Sequence, residues 1–120
     1  MDEFTKAYIE CMLWSSTGDD EEPLDDTIEA NLDNFTKDAV RLIRKDCHLF
    51  QLVNAELIEG LDDKAGHDFW LTRNGHGTGF WDKPEIYGEE NAKLLTVAAK
   101  NYGSCSPIIC CDGKVDLFDG

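Results

Sequence analysis

Residues 65–82 read Ala65-Gly66-His67-Asp68-Phe69-Trp70-Leu71-Thr72-Arg73-Asn74-Gly75-His76-Gly77-Thr78-Gly79-Phe80-Trp81-Asp82, and the conformation of this stretch decides the fold. Aromatic and β-branched side chains favour strands because they pack well on a pleated surface. Asn74-Gly75 is a turn signal between two such runs. The stretch therefore predicts a β-hairpin, 68–73 against 79–83, ended by Lys83-Pro84. Side chains alternate across a pleat, so Asp68, Trp70, Thr72 and Phe80 share one face, and Phe69, Leu71, Arg73 and Trp81 the other. Both faces carry aromatics. One must be core, and the other is either covered by a helix or open to a partner.

Outward from the hairpin, helices dominate. Residues 3–14 place Phe4, Ala7, Tyr8, Cys11 and Met12 at the spacing of one helix face. Ser15-Ser16-Thr17-Gly18 ends that helix, and an acidic loop with Pro23 follows. Asn34 can cap a second helix over 35–59, whose inward stripe is Phe35, Ala39, Leu42, Ile43, Phe50, Val53 and Leu57. On this reading Phe50→Asp and Val53→Asp each bury a charge and unfold the domain. Residues 61–67 form a loop before the hairpin. A third helix fits 88–102, with Leu94, Leu95, Ala98 and Tyr102 inward and Gly103 as its stop. Finally, 107–111 and 114–118 flank Asp112-Gly113, the strongest hairpin signal in the chain. The order ααββαββ implies one α+β domain over 1–120, with an antiparallel or mixed sheet of about four strands packed on helices.

The charge is lopsided: 11 Lys and Arg against 25 Asp and Glu, net −14. A nucleic-acid binder needs a basic patch, and an anionic membrane attracts basic segments, so neither is expected as a direct partner. No apolar run approaches the roughly 20 residues of a membrane-spanning helix, and no secretory leader opens the chain. Cys11, Cys47, Cys105, Cys110 and Cys111 form no C-x-x-C pair and are expected as reduced, mostly buried thiols. No metal and no cofactor is expected. Eleven of the acids lie in residues 1–34 beside a single base, Lys6. Asp19, Asp20, Glu21, Glu22, Asp25, Asp26, Glu29 and Asp33 crowd one short stretch of that segment. Such a cluster either keeps a loop solvated or matches a basic surface.

The 65–82 stretch resembles a segment of a family of small uncharacterised bacteriophage proteins, as do Tyr8-Ile9-Glu10-Cys11-Met12-Leu13-Trp14-Ser15-Ser16 and Asn54-Ala55-Glu56-Leu57. The resemblance implies a phage origin and a life in the host cytoplasm. It brings no activity and no catalytic residue with it.

Three functions follow. The leading one is an acidic inhibitor that imitates nucleic acid. A compact chain of this length spans about 35 Å. Duplex DNA that long carries roughly 20 phosphates, about half of them facing one partner. The clustered acids are close to that number, and a host nucleic-acid-binding protein or defence complex with a basic surface would be drawn to them. The second is a small enzyme or ligand binder on the 67–82 hairpin, with His76 as acid–base, Arg73 as anion clamp and Asn74 beside them. His67 and His76 lie on the order of 20 Å apart along a strand and turn, and could share a metal only if the loop folds back. The third is a phage adaptor protein that binds through the aromatic hairpin face, which a stable homodimer through that face would mark.

Overall fold

A carboxylate opens the first element. Asp2 accepts the Thr5 N–H at 2.8 Å and so caps α1, Glu3–Ser15, which buries Phe4, Tyr8, Ile9, Met12 and Leu13. The structure is a computed structural model that describes residues 1–16, 29–110 and 112–119. After a 3-10 turn at Leu32–Asn34, the Thr36 hydroxyl accepts the Ala39 N–H at 3.1 Å and starts α2, Lys37–Asn54. Thr36, not Asn34, is therefore the cap. The helix stops five residues earlier than its periodicity suggested. There the Asn54 amide donates back to the Phe50 carbonyl at 2.9 Å, and the chain turns through Gly60 at φ +76°. Ala39, Ile43, Cys47 and Phe50 face the core, whereas Val53 is 71% exposed. Phe50 and Val53, read as one stripe, lie on different sides of the helix surface.

The central hairpin does not exist. Residues Asp62–Arg73 form α3, and the supposed second strand is a 3-10 turn, Phe80–Asp82. Tertiary packing overrides the local strand preference of Phe69-Trp70-Leu71-Thr72, because a helix here puts aromatics into the core on more than one side. Phe69 stacks on Phe50 with ring centroids 4.2 Å apart, and Trp70 meets Tyr8 edge-on at 5.4 Å. Asp62 and Asp63 occupy the first turn, where the helix dipole favours negative charge. Gly66 makes the arrangement possible: a Cβ there would lie 2.1 Å from the Phe4 carbonyl oxygen, so α1 and α3 touch backbone to backbone. The 61–67 segment expected as a loop is thus mostly the first half of α3.

Asn74-Gly75 does turn the chain, with Gly75 at φ +68°. The returning segment is pinned by Thr72, whose hydroxyl accepts the Phe80 N–H at 3.0 Å. A Cβ on Gly79 would lie 2.2 Å from that same oxygen. A single turn, α4, Pro84–Tyr87, leads into α5, Glu89–Lys100. Strands β1, Cys105–Ile109, and β2, Val115–Asp119, then pair antiparallel with Ile109 opposite Val115. Gly113, at φ +83°, lies in the turn between them. The Thr36 hydroxyl donates to Asp116 at 2.8 Å and ties this hairpin to the start of α2. Among the described residues the sheet has two strands, not four. The architecture is five α-helices with one terminal hairpin, which overturns the α+β sheet packed on helices.

Candidate functional site

The charged residues of the 65–82 segment are mostly turned inward. Arg73 ends α3 inside the protein, with only 3% of its side chain exposed. Its guanidinium donates to Asp46 at 2.9 Å, Tyr8 at 3.0 Å, the Gly103 carbonyl at 2.8 Å and the Tyr102 carbonyl at 3.1 Å. It also lies over the Phe69 and Tyr102 rings at 5.8 and 5.7 Å. Burial opposes its charge, but Tyr8, Cys105 and Asp46 outweigh that and hold it above the ordinary arginine range. Burial pushes the Tyr8 hydroxyl well up, so it stays a neutral acceptor. Asn74 caps the same end: its amide donates to the Trp70 carbonyl at 3.0 Å and its oxygen accepts the Cys105 N–H at 2.8 Å. Arg73 and Asn74 hold α1, α2, α3 and β1 together. His76 is exposed in the following turn. Asn74 and His76 line one cleft of about 490 Å³ with Ser15, Trp70 and Cys105, but Arg73 is not part of it, so the three alternative site residues do not all converge.

A second internal cluster sits at the middle of α3. Asp68 is buried and accepts from the Tyr87 hydroxyl at 2.7 Å and from the Lys83 ammonium. Burial and the bond to Asp68 push Tyr87 far up, so it donates rather than ionises. Next to Asp68 on α3, His67 is half-buried and points into open space. Burial holds its imidazole below the ordinary histidine pKa, Asp68 opposes that, and Lys83 adds to it.

His67 joins two clefts. One, about 370 Å³, runs toward Asp63, Lys64, Asp68, Lys83 and Ile86. The other, about 500 Å³, is the larger and lies between α1 and residues 29–30. Its floor is Cys11 and Leu13; its walls are Trp14, His67 and Ala30; its rim carries Glu10 and Glu29. Burial raises the Cys11 thiol to about 12, so the floor is neutral. The Trp14 ring is 59% exposed and sits 6.1 Å from His67, tilted by 36°. The sequence reading passed over this cleft. Its one signal was spacing: Glu10 and Trp14 are four residues apart on a helix and so share a face.

Of the acids singled out from sequence, Glu29 and Asp33 are exposed. The Glu29 carbonyl accepts the Asn34 amide at 2.9 Å and the Asn31 N–H at 2.8 Å, which fixes the local turn. Asp19, Asp20, Glu21, Glu22, Asp25 and Asp26 lie outside the described residues. The acidic segment nevertheless leaves α1 just past Trp14 and rejoins the described chain at Glu29, on the rim of the same cleft. Four of the bases, Lys37, Arg41, Arg44 and Lys45, stand on the exposed side of α2. Among the described residues no group of three or more His, Cys, Asp or Glu side chains is disposed to hold a metal ion. No helix among them is long and apolar enough to cross a membrane. No family model, curated protein or solved structure matches this chain.

Proposed function

We propose that this chain is a bacteriophage-encoded acidic inhibitor that occupies the basic surface of a host nucleic-acid-binding or defence protein, its carboxylates standing where phosphates would. The observation that carries the reading is the uneven charge of the surface. Glu10, Glu29, Asp62, Asp63, Glu89 and Glu90 are all exposed, and four of the eleven bases are gathered on α2. Among the described residues two ion pairs form between exposed side chains, Lys6–Glu10 at 4.0 Å and Arg41–Asp38 at 3.4 Å, and pairs this loose neutralise little. The longest dimension is 44 Å. Duplex DNA of that length carries roughly 26 phosphates.

The rival enzyme reading required Arg73 to clamp an anion and required an open hairpin. Arg73 is held by four internal acceptors, and the hairpin is a buried helix. The adaptor reading loses most of its aromatic face for the same reason, since Phe69, Trp70 and Phe80 are core residues and Trp81 alone of the four is exposed.

Capture of bound protein from bacterial lysate at low and high salt, followed by mass spectrometry, identifies the partner. Binding is expected to weaken steeply with salt, because screening shortens from about 10 Å at 0.1 M to 3 Å at 1 M. DNA should compete for the same protein. Changing Asp19, Asp20, Glu21, Glu22, Asp25 and Asp26 to Asn or Gln should abolish capture while the fold persists. Wild-type affinity in that variant, or simultaneous binding of DNA and this protein to the partner, sinks the proposal.

A further inference from the structure

We infer that the cleft between α1 and residues 29–30 is an anchor site for one arginine side chain of a protein partner. The inference rests on the acidic-inhibitor reading and names the point of attachment within it. Three features of the cleft converge. The first is shape: a pocket of about 500 Å³ with an apolar floor of Cys11 and Leu13 accepts an extended side chain rather than a flat surface. The second is the Trp14 ring, 59% exposed although it stands beside a well-packed helix face. A guanidinium stacks flat on an indole and is attracted by its negative π-face. The third is the pair of rim carboxylates, Glu10 and Glu29, which arrive from different segments and line the same cleft as the ring. A guanidinium presents five N–H donors in a planar fork, so it can lie on the ring and donate to carboxylates at its edge.

The cleft's other polar wall is His67, where burial disfavours the charged imidazole that would repel a cation. The internal competitor is Lys6, exposed and 4.0 Å from Glu10, a contact a bound arginine would readily replace. The bases of the adjoining cleft differ: Lys83 is engaged by Asp68, while Lys64 lines that cleft together with Asp63. The surface therefore has a division of labour. Diffuse carboxylates attract a basic protein over distance, and this cleft fixes where it sits. Arginines that fill a pocket at the centre of an interface are the residues that most often dominate its affinity.

The probe is a capped nine-residue peptide with three arginines spaced by glycine and serine. Its control is the same peptide with citrulline, which keeps the shape and loses the charge. Binding is followed by the indole N–H signals of the three tryptophans in NMR spectra, assigned with single Trp→Phe variants. The arginine peptide should shift the Trp14 signal, leave that of buried Trp70 in place, and bind at least tenfold more tightly than the citrulline peptide. Trp14→Ala should weaken it at least tenfold and Trp14→Phe by less than threefold. Glu10→Gln with Glu29→Gln should also weaken it about tenfold. The variant neutralised at the six acids of 19–26 should bind more weakly but still shift Trp14, which separates the anchor from the long-range attraction. Unchanged affinity in Trp14→Ala overturns the anchor and leaves the acidic-inhibitor reading standing. Equal binding of the citrulline peptide overturns it as well, by showing an apolar groove instead of a cation site.

Discussion

Helices α2 and α3 cross the same core, yet they are built on opposite plans. In α2, Ala39, Ile43, Cys47 and Phe50 face inward while Arg41, Arg44, Lys45 and His48 meet water. Its inner side is mostly apolar, with Asp46 and Asn54 as the buried polar exceptions, and its outer side also leaves Leu49, Leu52 and Val53 exposed. In α3 every residue from Ala65 to Arg73 except His67 is buried, including Asp68, Thr72 and Arg73. Each of these polar groups has a partner, and no buried side-chain nitrogen or oxygen among the described residues is without one. The difference teaches that α2 is held by burying one apolar stripe. In contrast, α3 buries apolar groups on more than one side and adds polar contacts that only this tertiary arrangement supplies. A single change in α3 should therefore do more harm than a change of the same kind on the outer side of α2.

The sharpest way to break that contrast is Arg73→Met. It leaves Asp46 charged and buried without its partner, a loss of about 3–5 kcal/mol in urea unfolding. A loss below about 1 kcal/mol would make Arg73 an ordinary surface arginine and erase the distinction. Next, Gly79→Ala forces a methyl against the Thr72 hydroxyl that holds the Phe80 N–H. It should cost about 1–3 kcal/mol by overpacking, measured the same way.

The third test uses pH. His67 has a folded-state pKa lowered from 6.5, chiefly by burial. As pH falls, the unfolded chain takes up the proton first. Stability is full above about pH 6.5 and declines below it, toward the folded-state value. His67→Gln should flatten that part of the Tm profile. Asp2 and Asp82 titrate in a separate, more acidic window, since their folded pKa values lie below 3.8 and their contribution is lost only as pH falls through them. The smallest effect is expected on α2: Val53→Asp, at a position 71% exposed, should change stability by no more than about 0.5 kcal/mol. A cooperative unfolding curve unchanged in midpoint would confirm that Val53 lies off the core stripe.

Legibility followed the same division. The helices α1, α2 and α5 and the Asp112-Gly113 turn could be read because each has a local signal, a repeat or a glycine with positive φ, although the cap of α2 is Thr36 and not Asn34, and Val53 and Leu94, expected inward, are exposed. The α3 segment has no such repeat, since a helix buried nearly all round shows no polar side, and its aromatics and Thr72 mimic a strand. Only Asn74-Gly75 kept its meaning, as the end of a helix instead of the tip of a hairpin. Arg73 looked functional because a lone base among aromatics is conspicuous. Its partners, Tyr8 and Asp46, lie 65 and 27 positions away, so nothing in its neighbourhood showed that it was internal. The cleft beside Trp14 was unreadable for the same reason: His67 and Glu29 reach it from separate segments.

The backbone contact of Gly66 with Phe4 carries a consequence for the order of events during synthesis. The two residues are 62 positions apart, and α2 is made between them. At 5–20 residues per second, about 3–12 s pass after Phe4 is joined to the chain before Gly66 exists. Throughout that interval Phe4, Tyr8, Ile9, Met12 and Leu13 have no α3 to lie against. Helix α1 therefore waits for α3 before its apolar side is covered, and a newborn chain would offer that side to a chaperone before it offered it to its own core.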